Sequence, residues 1–169
     1  SFMKAVLIRK HGGIEVLEVA SLPKPKAEAG QVVIKVMAAG MNHLDTWVRR
    51  GLPGLTLPLP MVPGSDAAGV VEEVGPGVAG LKPGDRVFVA PGFSCGRCLE
   101  CFSGNDPLCK DYGIIGEHTS GTQVEYAALP AVNVMPLPDG LSFEEGAAVP
   151  LVFLTAWHML VGRAQVRVG

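Results

Sequence analysis

All four cysteines of the chain fall between Cys95 and Cys109, in the order C-x2-C-x2-C-x7-C. Two-residue gaps let successive thiolates turn toward one centre, and a short loop returns the fourth. Four sulfurs at about 2.3 Å form a closed tetrahedral shell around zinc. In a reducing compartment, thiols packed this densely are stable when metal-bound and poorly suited to disulfides. The spacing therefore favours a structural zinc on Cys95, Cys98, Cys101 and Cys109 over disulfides, free thiols or an iron–sulfur centre. Four thiolates leave no open coordination position, and catalysis by zinc requires one. The lobe from 92 to 112 thus reads as a staple, with the chemistry elsewhere. It has little apolar content, so the metal would substitute for a core in ordering it.

A second pattern invites a dinucleotide. Gly75-Pro76-Gly77-Val78-Ala79-Gly80 fits G-x-G-x-x-G and follows a strand-like run. The phosphate-binding version needs its last glycine to open a helix. Here Leu81-Lys82-Pro83-Gly84 follows, which signals a turn, and Pro76 lacks an amide that a phosphate would use. The segment reads as a plain turn.

The elements around these residues are short. Of 169 residues, 48% are hydrophobic and 18% charged, the composition of a soluble globular domain, and 22 Gly with 14 Pro predict many turns. β-Branched runs predict strands at Val32–Val36, Ala67–Val74, Asp85–Ala90, Gln123–Leu129 and Ala131–Met135, an arrangement suited to a barrel or sandwich. Ser142-Phe143-Glu144-Glu145 fits a capping box. Apolar residues continue from there to Val161, which predicts a largely buried helix, kinked or restarted at Pro150.

The formal net charge is -2 and no block of Lys or Arg occurs, so neither nucleic acid nor an anionic membrane is expected as partner. The longest apolar stretch, 146–161, is broken by Pro150 and carries His158, which argues against a membrane span. With no export signal in view, the expected compartment is the cytoplasm.

Several motifs together resemble one family. Ala39-Gly40-Met41-Asn42-His43-Leu44-Asp45, then Pro63-Gly64-Ser65-Asp66-Ala67-Ala68-Gly69, Gly84-Asp85-Arg86-Val87, the cysteine lobe and Leu154-Thr155-Ala156-Trp157 follow in one order. The chain resembles the N-terminal, GroES-like catalytic domain of the medium-chain dehydrogenase/reductase superfamily over residues 3–165. The resemblance implies a mainly β fold with some helix (α+β): a GroES-like, partly open β-barrel with a zinc-binding lobe and a C-terminal helix. It also implies a Rossmann domain that this chain does not contain, and NAD(P)H as cofactor of the complete enzyme.

The departures narrow the activity. Zinc alcohol dehydrogenases carry a catalytic Cys where this chain has Asn42, and a His-Glu pair where it has Ser65-Asp66. Their last Cys ligand falls at Leu151 or a neighbour. Gly-Met-Asn-x-x-Asp and Pro-Gly-Ser-Asp instead resemble the zinc-independent quinone and enoyl reductases, which position a carbonyl, alkene or quinone substrate for hydride. The resemblance makes Asn42, Asp45 and Asp66 the candidate catalytic residues, and His43 and Thr155 the candidate cofactor contacts. Ordinary structural roles compete: Asp45 as N-cap of a helix at 46–50, Asp66 pairing an arginine, Thr155 as a buried helical threonine bonded to a carbonyl four residues back. Two further readings stand beside the reductase: a zinc alcohol dehydrogenase, and a catalytically silent scaffold or binding module. An isolated domain would expose its apolar cleft face, so a homo-oligomer is expected.

Overall fold

The structure, a computed structural model, describes residues 1–167. Strand β1 (Phe2–Ile8) and β2 (Leu17–Pro23) form an antiparallel hairpin. Then come β3 (Gln31–Ala39), helix α1 (His43–Arg50), β4 (Ala67–Val74) and β5 (Arg86–Val89). The lobe contributes β6 (Gly92–Phe93), the single turn α2 (Leu99–Phe102) and β7 (Gly113–Ile114). Strands β8 (Tyr126–Pro130) and β9 (Val134–Pro136) precede α3 (Phe143–Ala148) and α4 (Pro150–Trp157), which runs on as a π-helix over His158–Arg163.

The main sheet is antiparallel throughout, in the order β8-β3-β4-β5-β9. The expected barrel is realised as an open sheet, with β8 and β9 at its edges. Val32 and Ile34 of β3, Val71 of β4, Val87 and Val89 of β5, and Leu129 of β8 meet in one buried core. This follows from β-branched side chains filling a pleated, buried surface. A second cluster, around Ile8, Val48 and Met61, ties the hairpin to α1.

The expected strand from Gln123 starts late, at Tyr126. Residues 123–125 turn aside to pair with the hairpin, where the Val6 amide donates to the Gln123 carbonyl at 2.9 Å and that of Glu125 to Lys4 at 3.0 Å. The strands β1 and β2 are new relative to the sequence reading, which began its sheet at Val32. The glycine run at 75–80 is a turn leading into β5, with no helix after it.

Ser142 opens α3 as expected: its Oγ accepts from the Glu145 amide at 3.1 Å, and its own amide donates to the Glu145 carboxylate at 2.8 Å. Pro150 restarts the helix, also as expected. The predicted burial is corrected. Gly146, Ala147 and Pro150 are buried, whereas Val152, Phe153, Leu154 and Trp157 are 48–67% exposed. α3 packs on β3, β4 and β5, but α4 leads away from the sheet, and an apolar composition buries nothing without an opposing surface. No helix among the described residues is long and apolar enough to cross a membrane.

Between β7 and β8 the chain doubles back on the segment before β4. A Cβ at Gly116 or Gly121 would lie 2.2 or 2.1 Å from the Gly64 carbonyl oxygen, so backbone here meets backbone directly. The Gly64 carbonyl accepts from the Thr122 amide at 2.9 Å. This contact fixes the stretch that carries Ser65 and Asp66.

Candidate functional site

α1 is capped by Asn42, not by Asp45. Asn42 is extended (φ -119°, ψ 160°), and Asp45, third in the helix, reaches back so that its Oδ2 accepts from the Asn42 amide at 2.7 Å. The expected N-cap role of Asp45 is therefore corrected to the third position of the first turn. A carboxylate at either position meets the free amides of a helix start, which is why residue type alone pointed to Asp45 as the cap.

The side chain of Asn42 forms the other half of this capping box and also reaches out of the turn. Its Nδ2 donates to Asp66 Oδ2 at 2.9 Å. Asp66 is 1% exposed and also accepts from the Leu151 amide, at 3.1 Å to Oδ1 and 3.3 Å to Oδ2. The alternative of an arginine partner is thereby replaced by two neutral N–H donors. Thr122 Oγ1 donates to the Asp66 carbonyl at 3.0 Å within the same buried region.

Burial pushes the Asp66 carboxyl above the usual carboxylate range, against the pull of the Asn42 and Leu151 donors; the nearby charge of Asp45 adds to the rise. Burial likewise pushes Asp45 up, offset by the amides of Asn42 and Gly64. Asp45 Oδ1 and Ser65 Oγ are buried without hydrogen-bond partners. Buried acid groups with incomplete partners are held closer to their neutral forms.

A cleft of about 490 Å³ opens between α1 and α4, lined by Asn42, His43, Leu44 and Trp47 on one side. Leu151, Val152, Thr155, Ala156, Met159 and Leu160 line the other. The structure thus brings Asn42, His43 and Thr155 to one cleft, with Asp66 bonded behind Asn42 and Asp45 behind its amide. His43 is exposed, its ring 4.9 Å from that of Trp47. Thr155 Oγ1 donates to the Leu151 carbonyl at 2.7 Å, the expected back-bond, on an exposed rather than a buried threonine. The cleft wall is mostly apolar, and Asn42 supplies a polar edge. The Leu151 amide was missed by the sequence reading, because a backbone group carries no residue-type signal.

The four sulfurs of the lobe all lie within 4.8 Å of one another. Cys98 and Cys101 are 3.5 Å apart, Cys95 and Cys101 3.9 Å. Zinc–sulfur bonds of about 2.3 Å imply tetrahedron edges of about 3.8 Å, so the donor set suits that ion, with its more widely spaced sulfurs drawn inward. Cys109 is buried and its sulfur accepts from the amides of Cys95 and Asp111 at 3.5 and 3.4 Å. A hydrogen bond from the Arg97 backbone leads the set that lowers the Cys95 thiol to about 7. For Cys98 the Cys101 amide favours the thiolate, but the Cys101 thiol, burial and the other sulfurs prevail and push it up to about 11. One thiolate forms readily and the next is resisted, the electrostatic situation that a divalent cation relieves. Leu99, Phe102 and Leu108 are exposed, so the lobe has few apolar contacts of its own.

Residues 28–139 match the family model described as the alcohol dehydrogenase GroES-like domain. The chain belongs to that family, and through it to the medium-chain dehydrogenase/reductase superfamily. It is 37% identical over 159 residues to an alcohol dehydrogenase of Geobacillus stearothermophilus, covering 94% of this chain and 47% of the relative. It is 36% identical over 168 residues to a quinone oxidoreductase of Rattus norvegicus, covering 99% and 43%. Among solved structures, an NAD-dependent alcohol dehydrogenase superposes with a TM-score of 0.94 at 54% identity, covering 99% of this chain and 49% of that one. A cobalt- and zinc-bound thermostable alcohol dehydrogenase from Pyrobaculum aerophilum gives 0.90 at 38%, covering 100% and 50%. The chain spans about half the length of these relatives, which are named as alcohol dehydrogenases and a quinone oxidoreductase.

Proposed function

We propose that this chain is the catalytic-domain portion of an NAD(P)H-dependent oxidoreductase of the quinone and enoyl reductase kind, with one structural zinc in the lobe and none in catalysis. The observation that carries this reading is the Asn42–Asp66–Leu151 cluster. At the positions where zinc alcohol dehydrogenases hold their metal, this chain offers an amide, a single carboxylate and a backbone N–H. A catalytic zinc needs about three protein ligands. Among the described residues, the only close group of three or more His, Cys, Asp or Glu ligand atoms is the cysteine cluster. The cleft residues do not fit a Lewis-acid zinc.

The lobe cysteines would hold structural zinc, and His43 and Thr155 would contact the nicotinamide cofactor. When bound, that cofactor supplies the hydride. Asn42 orients a substrate carbonyl from the cleft edge through its amide. Leu44, Trp47, Val152 and Met159 give that edge apolar walls. Asp66 and Asp45, both raised by burial, retain a proton at higher pH than ordinary carboxyls and are the acidic groups nearest to Asn42. Substrates of this class are small carbonyl compounds, activated alkenes or quinones. The exposed apolar flank of 150–163 supports a homo-oligomer or a further domain at that face.

The zinc alcohol dehydrogenase reading is favoured by the name of the structural relative at 54% identity. The two separate cleanly in the full-length protein. A reductase holds one zinc per chain and oxidises NADPH or NADH with 1,4-benzoquinone or 2-cyclohexen-1-one. Two zinc ions per chain together with NAD+-dependent oxidation of primary alcohols would overturn the proposal. A fluorescence titration of NADPH, then NADH, against the 169-residue chain tests whether His43 and Thr155 suffice for binding without further protein.

A further inference from the structure

Asp66 is held more firmly than a pocket residue needs to be. Its carbonyl oxygen accepts from the Gly40 amide at 2.9 Å and from Thr122 Oγ1 at 3.0 Å. A Cβ at Gly40 would lie 3.0 Å from the Asp66 Cβ and 2.3 Å from the Ala147 carbonyl oxygen. The ends of β3 and α3 therefore close on Asp66 with no room to shift.

From this anchored backbone the carboxylate reaches two elements. On one side it accepts from Asn42 Nδ2, at the start of α1. With Nδ2 placed on Asp66 Oδ2, Asn42 presents its NH2 end to the carboxyl group. Its Oδ1 faces the Asp45 backbone in the capping box of α1, and its second N–H remains as the polar edge available to the cleft. On the other side lies α4. Its flanking residue Val149 has no side-chain acceptor, and Pro150 has no amide hydrogen. Leu151 thus carries the first free N–H of α4, and Asp66, 85 residues earlier in sequence, accepts it.

We propose that Asp66 is a positioning residue that sets both walls of the cleft at once, fixing the amide orientation of Asn42 and the first turn of α4. The assignment rests on the reading of this cleft as the reductase site, but its structural half is separable from that reading. Thr155, Ala156 and Met159 follow on the same helix, so the register of the cofactor-side wall depends on the contact at Leu151.

The test uses the full-length protein and two readouts: hydrogen exchange over residues 149–157, and NADPH-dependent reduction of 1,4-benzoquinone. Asp66→Ala is expected to speed exchange in that segment roughly fivefold or more, the effect of losing a helix cap. It should also raise KM for benzoquinone about tenfold, the loss of one oriented hydrogen bond, with a smaller change in kcat. The double variant Asn42→Asp with Asp66→Asn moves the carboxylate to the other partner while keeping a donor opposite an acceptor at both contacts. Its exchange should return to within about twofold of wild type, which a general loss of stability would not do. Unchanged exchange in Asp66→Ala overturns the proposal, even if KM moves. So does a double variant that exchanges as fast as Asp66→Ala. If exchange follows expectation while no form reduces benzoquinone, the positioning role stands and the reductase reading falls.

Discussion

Four thiols between Cys95 and Cys109 surround one point with almost no apolar support, while Asp45, Ser65, Asp66 and Thr122 lie buried against an ordinary hydrophobic core. The lobe must obtain its order from a ligand that its own side chains gather. The region behind the cleft obtains its order from β3, β4 and α3, and the polar groups are passengers whose desolvation the core supports. The difference teaches which part of the molecule each kind of perturbation should reach. Metal removal should act on the lobe and spare the cleft. Core truncation should do the reverse, and titration of the buried carboxyls should act on the cleft.

The largest effect is expected from the metal. Chelation, or Cys101→Ser, should raise proteolysis within 94–110 by a hundredfold or more, on the order of what structural zinc sites contribute to folding. The far-UV signal of the main sheet should persist. Equal proteolysis with and without metal would abolish the contrast between the two regions. Next in size is Ile34→Ala, at a fully buried position of β3. It should lower unfolding free energy by about 2–5 kcal/mol, while metal content after purification stays at one ion per chain. Loss of the metal in that variant would mean that lobe and sheet are one cooperative unit.

A smaller effect concerns pH. Asp45 and Asp66 are harder to ionise in the folded chain than in the unfolded one. The folded state therefore binds more protons between about pH 4, the ordinary carboxylate value, and the raised values. Their contribution to stability is greatest at the acid end of that window and falls as pH rises through it. Asp45→Asn should flatten this part of the melting-temperature profile; an unchanged slope would place the titration elsewhere. The smallest change is Ser142→Ala, which removes the α3 cap and should cost about 1 kcal/mol, read by denaturant titration, with no effect on either metal or cleft. On gel filtration the 169-residue chain should self-associate through the exposed apolar flank at 150–163, and a clean monomer at high concentration would count against that.

Much of this was legible from residue types. The cysteine spacing identified the four donors, because thiol side chains announce themselves and their gaps limit the geometry. The capping box at Ser142 and the break at Pro150 were equally local. Asn42, His43 and Thr155 were named from motifs, and the structure places them along one cleft. What escaped was of two kinds. The register of α1 turned on whether Asn42 or Asp45 capped it, and both residue types suit a helix start. The Leu151 amide and the exposed flank of α4 depend on what faces a segment across space. An apolar run such as Leu151–Leu154 looks the same in sequence whether or not a partner covers it. The hairpin β1–β2 was passed over because Ala5–Ile8 is a short apolar run without the alternation that marks a half-buried strand.

The three-glycine contact of Gly64 with Gly116 and Gly121 has a consequence for anyone who would alter this protein by directed evolution. At 116 and 121 the alphabet has one letter, since the nearest atom to any added carbon is the Gly64 carbonyl oxygen. Positions 118–120, between them, are exposed, and of these His118 accepts from the Ile114 amide at 3.1 Å. A library aimed at the neighbourhood of Asp66 should therefore concentrate its diversity on those three sites. Its surviving clones will read as a variable triplet at 118–120, set between the buried Glu117 and a fixed Gly121.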